Sequence, residues 1–329
     1  MGADHVARLI GRAMGTDVDI TVVGPNGLAE DLANEALGRL GNLEALWSRF
    51  RSDSEISRLN RANGEFVIVG DETRRLLRTA IDAWELSGGF VDATKLEALL
   101  AAGYDRSFEL LAADRSSAER ARPIDDRRSP QPPLRRHGPT DIEITATAAR
   151  LPMGIGFDPG GIGKGLAADL VSAAIMRRGA DGVCIDVGGD LRVRGTAPDS
   201  TPTPSGGWTI SIDHPVRDEP LALVGIGDGA VASSTTLCRA WQIDGERRHH
   251  LIDPRTEQPA ASGVAFAAAI AADGWRAETM AKTLLLRGGP HWFDPIDGSG
   301  IEALIVTDDG SVHTSTGFGR FCTPEGVLS

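Results

Sequence analysis

The stretch FDPGGIGKGLAAD, residues 157–169, places a helix-breaking, glycine-rich run directly before an amphipathic segment. Leu166, Ala167, Leu170, Val171, Ala174 and Ile175 follow at helical spacing. The first turn of a helix carries N–H groups without intrahelical partners, and glycine lets a ligand approach the backbone closely. With the Lys164 ammonium at that mouth, the chemistry on offer is anion binding, phosphate above all. The plainer alternative is a Gly-rich turn with a solvated lysine. A second reactive grouping is His250 and Asp253, three residues apart in HHLIDPRTEQP and ahead of Pro254. An imidazole beside a carboxylate can be held in one tautomer and move protons near neutral pH. The competing reading has His250 bonding the loop and Asp253 capping it. Gly188 and Gly189 allow close backbone approach to a ligand. The Asp190 carboxylate that follows them either caps N–H groups or reaches the site.

These groups need elements to hold them. DVDITVVG (17–24) alternates as a half-buried strand, and residues 28–47 carry apolar positions at helical spacing up to Trp47. Ser54 is placed to cap a short helical turn, Asn63-Gly64 is a turn, and EFVIV is a short strand. Residues 71–86 form a helix ended by Ser87-Gly88-Gly89, with FVDAT and the helix-like LEALLAAG beyond. Residues 112–140, rich in Arg, Asp, Pro and Ser, are expected as a flexible surface insertion. A strand over 142–151 leads into the FDPGG loop, and a helix over 164–177 leaves it. VCIDV, LRVRG, WTISI, ALVGI and GAVASS are strands, the last running into a helix or irregular element through Trp241. A loop holds HHLIDPRTEQP. A strand over 264–270, a helix over 276–287, a strand over 303–307 and an edge strand within 311–322 complete the chain. GIGKG has the wrong glycine spacing for a dinucleotide-binding GxGxxG turn or a P-loop, so the balance is α+β.

Composition narrows the function classes. A chain of 329 residues with a formal charge of -12 argues against a nucleic-acid partner. Three scattered cysteines, Cys184, Cys238 and Cys322, suggest neither a disulfide framework nor a thiolate metal site. No segment reads as a signal peptide or a membrane span, so a cytoplasmic protein that is not integral to a membrane is expected.

Taken together, the motifs resemble the ApbE family, the FAD:protein FMN transferases. MGT at 14–16, SDSEISRLN at 52–60 and GGFVDAT at 88–94 are similar to successive family motifs. So are DPGGIGKGLAAD at 158–169, DVGGDLRVRG and HHLIDPRTEQPA, in family order. The resemblance spans Met14 to Gly288 and implies one α+β domain over 10–329. That domain has two lobes related to the T-fold type, antiparallel strands, and a ligand cleft between the lobes. It implies binding of FAD, cleavage of the pyrophosphate with a divalent metal, release of AMP, and attachment of FMN to a threonine of an acceptor flavoprotein. On this reading Gly161, Gly163 and Lys164 face the pyrophosphate, and the Gly163 carbonyl helps hold Mg2+. Met14, Gly15 and Thr16 lie near the nucleotide, while Ser54, Glu55 and Asn60 shape the same wall or serve as structural caps. Asp92 lies by the active cleft or caps a turn. Gly188, Gly189, Asp190 and the hydroxyls of Ser233, Ser234 and Thr235 bring backbone and donors to the ligand. His250, rather than His249, matches the family histidine.

The chain departs from the family at its metal pair. The family carries Asp and Thr four residues apart on a helix; in AETMAKTLLLRG those positions are Glu278 and Lys282. Glu278 can ligate Mg2+, whereas an ammonium has no acceptor oxygen. Either Lys282 places its charge where the metal would sit and acts in catalysis, or it swings to solvent and Mg2+ is held by Glu278 and Gly163. A surface ion pair is the plain third reading. Lys95, and Glu257 where the family has glycine, are two further departures. The competing functions are an FAD pyrophosphatase giving FMN and AMP, and a non-catalytic FAD-binding protein.

Overall fold

A computed structural model describes residues 5–113, 138–198, 207–243 and 246–323. The strands are β1 (His5–Ala13), β2 (Thr16–Gly24), β3 (Val67–Ile68), β4 (Glu143–Ile144), β5 (Ala148–Arg150), β6 (Gly182–Val187), β7 (Asp190–Gly195), β8 (Trp208–Asp213), β9 (Pro220–Ile226), β10 (Gly229–Thr235), β11 (Ala240–Ile243), β12 (Glu246–His249), β13 (Ile252–Asp253), β14 (Gln258–Pro259), β15 (Val264–Ala271), β16 (Glu302–Thr307) and β17 (Val312–Thr314). The helices are α1 (Leu28–Trp47), α2 (Glu55–Arg61), α3 (Asp71–Leu86), α4 (Leu96–Ala101), α5 (Phe108–Ala113), α6 (Gly163–Arg177) and α7 (Gly274–Arg287). Eight strands form one sheet in the order β1-β2-β6-β7-β10-β15-β16-β17, every pair antiparallel.

Helices α1, α6 and α7 pack side by side on this sheet. The β8–β9 hairpin covers strand residues such as Val193, Phe266 and Ile270 with Trp208, Ile210 and Val224. All eight residues of β15 are therefore buried, which is why VAFAAAIA reads as an unbroken apolar run and not as an alternation. α7 is likewise buried on nearly all sides, including Glu278 and Lys282.

The contact between α6 and α7 depends on two glycines. A Cβ on Gly165 would stand 2.4 Å from the Gly274 carbonyl oxygen, and one on Gly274 would stand 2.6 Å from that of Gly165. Asp169, the last residue of the glycine-rich stretch, then caps α7: its carboxylate accepts from Gly274 N at 2.8 Å and Trp275 N at 3.0 Å. Gly165→Ala is expected to lower stability by about 1–3 kcal/mol, since backbone on both sides cannot yield. A urea melt measures it, and an unchanged midpoint would refute the contact.

Several elements differ from the sequence reading. β1 has no counterpart there, and this first described strand already starts at His5, ahead of residue 10. Its inward positions Ala7, Leu9, Gly11 and Ala13 are mostly small because α1 lies close over them, so the alternation is weak. The strand expected over 142–151 is a hairpin, β4 with β5. The segment read as helix or irregular structure to Trp241, and the loop after it, are the β11–β12 and β13–β14 hairpins. The edge strand within 311–322 shrinks to β17, followed by a 3-10 turn over Phe318–Arg320. Of the insertion expected over 112–140, residues 114–137 lie outside the described residues.

Candidate active site

A cavity of 530 Å³ opens where the β1–β2 turn, the end of α1, residues 90–95, the start of α6, the β11–β12 hairpin and α7 meet. Seven cationic side chains line it, namely Arg12, Arg49, Arg51, Lys95, Lys164, Arg239 and Lys282, against the carboxylates of Glu44, Asp92 and Asp158. The chain as a whole carries -12, so this gathering of cationic side chains is local, and six of the seven hold carboxylate partners: Asp17 on Arg12, Asp158 on Arg49, Asp53 on Arg51, Glu257 on Lys95, Asp190 on Lys164 and Glu278 on Lys282.

The β1–β2 turn is the two-residue loop Met14-Gly15, both at positive φ (56° and 68°), as a tight hairpin requires. That strained position carries Met14 across to α6: a Cβ on Gly163 would lie 3.8 Å from Met14 Cε. Asp158 caps the turn before α6 by accepting from Gly160 N at 2.6 Å, and it pairs with Arg49. The Arg49 guanidinium also donates to the Tyr104 carbonyl at 2.7 Å and lies over the Phe50 and Tyr104 rings. Asn60 clamps the same loop from behind. Its Nδ2 donates to Phe157 O at 2.9 Å, and its Oδ1 accepts from Phe157 N at 2.8 Å. Asn60→Ala strands both groups and is expected to lower stability by about 1–3 kcal/mol in denaturant unfolding. A neutral result would remove Asn60 from the loop's support.

The charges behind the entrance are paired and buried. The Lys164 ammonium bonds Asp190, whose carboxylate is fully buried and whose Oδ1 has no partner. Burial, then Glu278, push the Asp190 carboxyl up to about 6 against the pull of Lys164. Burial pulls the Lys164 ammonium down, but Asp190 and Glu278 outweigh it and hold its pKa above the ordinary value. Lys282 Nζ donates to Glu278 Oε1 at 2.8 Å, and Gly165 N donates to Glu278 Oε2 at 2.8 Å. The Lys282 stem packs on Gly161, and its side chain is 9% exposed, so neither the solvent-facing lysine nor the surface ion pair is realised.

These partners bear on the metal reading. Each Glu278 oxygen accepts a hydrogen bond, one of them from the Lys282 ammonium, and Glu278 does not line the cavity, although Gly163 does. Beside it, Asp190 Oδ1 has no hydrogen-bond partner among the described residues, but the same carboxylate is paired with the Lys164 ammonium. Unit charges 4 Å apart interact by about 4 kcal/mol at an effective dielectric near 20, so Mg2+ beside the Lys282 ammonium would be repelled by about 8 kcal/mol. Among the described residues, no three His, Cys, Asp or Glu side chains converge, and the acid at the family's ligand position is bonded to an ammonium where the family has a hydroxyl. The residues present do not fit Mg2+ as a resident ion.

Of the two neighbouring histidines, His250 lines the cavity, while His249 is buried and takes Ala260 O at 3.1 Å and Leu251 N at 3.3 Å. The expected His250–Asp253 pair does not form. Asp253 is taken up by Arg255, whose Nη2 donates at 2.7 Å and whose backbone N donates at 2.9 Å, and it lies off the cavity. Arg255, first by its side-chain bond, holds the Asp253 carboxyl below its ordinary value. The two residues sit three apart, but the β13 turn points them at different partners. His250 Nδ1 instead faces the Arg239 carbonyl at 3.5 Å, with Tyr104 edge-on to its ring. A carbonyl only accepts, so this contact favours the tautomer with the proton on Nδ1, which leaves Nε2 as the basic nitrogen. Burial, then Arg239 and Lys282, hold the imidazole well below its ordinary pKa, so it is neutral at pH 7.

The remaining expected site residues divide. Met14, Gly15, Thr16, Asp92 and Gly161 line the cavity. Asp92 Oδ1 also accepts from Thr94 N at 2.8 Å, as a turn carboxylate would. Ser54 and Glu55 do not line it: Ser54 caps α2 through Ser57 N at 2.9 Å, and Glu55 holds Gly70 N at 3.0 Å. Gly188, Gly189 and Ser233 form the layer behind. A Cβ on Gly188 would meet Thr16 Oγ1 at 2.2 Å, and Ser233 N donates to Gly189 O at 3.1 Å. Ser234 is buried, and Thr235 Oγ1 donates to Ala265 O at 2.9 Å. The two unusual residues Lys95 and Glu257 bond each other at 3.0 Å, with Glu257 at φ 58°, a conformation that suits the family's glycine. Arg49, Tyr104 and Arg239 were not singled out from sequence. Tyr104 is the chain's single tyrosine, and the other two lie in arginine-containing stretches with no motif spacing.

A family model described as the ApbE family matches residues 14–305. The FAD:protein FMN transferase of Vibrio cholerae serotype O1 is 26% identical over 324 residues, covering 95% of this chain and 92% of that relative. The FAD:protein FMN transferase of Treponema pallidum is 26% identical over 292 residues, covering 86% and 79%. Among solved structures, the ApbE protein of Thermotoga maritima superposes with a TM-score of 0.79 at 23% identity, covering 96% of this chain and 99% of that one. The flavin transferase ApbE of Vibrio cholerae gives 0.75 at 24% identity, covering 97% and 99%. These two likenesses establish the mixed fold of antiparallel sheet and helices.

Proposed function

The chain belongs to the ApbE family, and from that premise we propose that it transfers the FMN half of FAD to a threonine hydroxyl of an acceptor flavoprotein and releases AMP. The observation that carries the reading is the cavity's wall: the Lys164 and Lys282 ammonium groups, each held by a buried carboxylate, and Arg239 converge with the start of α6 beside a neutral histidine. A pyrophosphate needs positive charge and N–H donors arranged before the reaction begins, and the start of α6 with Lys164 offers both. In this scheme the threonine Oγ attacks the FMN-side phosphorus and gives its proton to His250 Nε2. The P–O bond to the AMP phosphate breaks, and the electron pair leaves on AMP. The Lys164, Lys282 and Arg239 side chains meet the charge on the phosphate oxygens. Among the described residues no helix is long and apolar enough to cross a membrane.

Incubation with FAD and a purified acceptor flavoprotein domain tests the proposal. The expected product is a fluorescent band of protein-linked flavin, with AMP released in equal amount. FMN and AMP without an adduct would make the protein a pyrophosphatase. Intact bound FAD with neither product would make it a binding protein, and no bound flavin would overturn the ligand assignment.

A further inference from the structure

We propose that Lys282, clamped by Glu278, takes the position of a divalent cation in this site, so that FAD binding and FMN transfer proceed without a metal. The inference rests on the FAD reading above. Three observations support it. First, Glu278 is fully buried and each of its oxygens already accepts a hydrogen bond: Lys282 Nζ donates to Oε1 at 2.8 Å and Gly165 N donates to Oε2 at 2.8 Å. Second, the ammonium so held is at the cavity wall and not in bulk water. The Lys282 side chain is 9% exposed, lines the cavity, and runs along Gly161 of the glycine-rich loop. Third, Gly165 belongs to the first turn of α6, so one carboxylate ties the helix that presents Lys282 to the helix that presents Lys164. The two ammonium groups are thereby fixed relative to each other before any ligand arrives. A preorganised charge of this kind does what a bound ion does for phosphate oxygens, at no reorganisation on binding.

Two measurements decide it. In the first, the ligand-free protein is titrated with Mn2+ and followed by its paramagnetic resonance signal. The wild type is expected to leave Mn2+ free, and Lys282→Thr, which frees Glu278 and restores the family's hydroxyl, is expected to bind it. Tight Mn2+ binding by the wild type would overturn the inference without reference to flavin. In the second, FAD affinity and flavin transfer are compared in excess EDTA and in Mg2+. The wild type is expected to behave the same in both. Lys282→Gln is expected to lose about ten- to hundredfold in FAD affinity, the worth of one charge-assisted contact, with Lys282→Arg retaining most of it. Thermal melts of the three variants separate this loss from misfolding. Transfer that stops in EDTA and returns with Mg2+ would sink the metal-free site while leaving the transferase assignment intact. Absence of flavin binding in both buffers, with Mn2+ also unbound, would instead sink the FAD reading and this inference with it.

Discussion

His250→Gln is expected to lower the rate of flavin transfer by about 10²–10⁴-fold while leaving FAD affinity nearly unchanged, because a positioned general base acts on the moving proton and not on the bound dinucleotide. The separation of rate from affinity is the informative readout, obtained from single-turnover transfer and flavin fluorescence titration. A loss confined to affinity would show that His250 only shapes the pocket. The pH profile adds a second check. Burial, Arg239 and Lys282 hold the folded-state pKa well below 6.5, so the neutral base persists through neutrality and the wild-type acid limb lies below pH 6.5. An acid limb above 6.5 would contradict that environment. Stability follows the same sign. Below pH 6.5 the unfolded chain takes up a proton at this residue that the fold resists, so stability falls as pH drops from 6.5 toward the folded pKa. His250→Gln should remove that part of the slope.

Lys164→Met is expected to destabilise the fold by about 3–5 kcal/mol at pH 8, the usual result of leaving one partner of a buried pair charged and alone. Asp190 is fully buried, and its carboxyl already sits at about 6 with Lys164 in place. Without the ammonium it rises further. A buried carboxyl with a raised folded pKa takes up a proton as pH falls, while the unfolded chain stays ionised down to about 4. The loss should therefore be largest at pH 8 and shrink toward pH 5, read as the difference between variant and wild type in urea unfolding at each pH. An equal loss at both would show that lost packing, not charge, is responsible. Adding Asp190→Asn should restore most of the stability and none of the FAD affinity, which separates Lys164's support of the core from its contact with ligand.

The legible part of this site is the part written in local spacing. FDPGGIGKGLAAD announces a helix start with glycines and a cation, and α6 and the cavity wall are found there. MGT announces a tight turn only through its glycine. The positive φ of Met14, which carries its side chain to Gly163, follows from the pairing of β1 with β2. β1 itself leaves little trace in the sequence because a strand lying close under a helix uses small inward residues, and these weaken the pattern that marks a strand.

By itself the sequence determined the family's motif order, the long helices and buried strands, the glycine-rich helix start with Lys164, and the presence of Glu278 and Lys282 on one face of a helix. Only the tertiary structure decided what that face meets. The same i,i+4 pair would be a weak, solvated contact on an exposed helix. Here, with Gly165 N on one oxygen and the cavity at Lys282, it is a locked charge. Asp253 shows the converse: three residues from His250, it pairs with Arg255. Spacing along a chain fixes which side chains share a face. Burial, dielectric and the partners brought from residues 26, 113 and 162 positions away fix what those side chains can do.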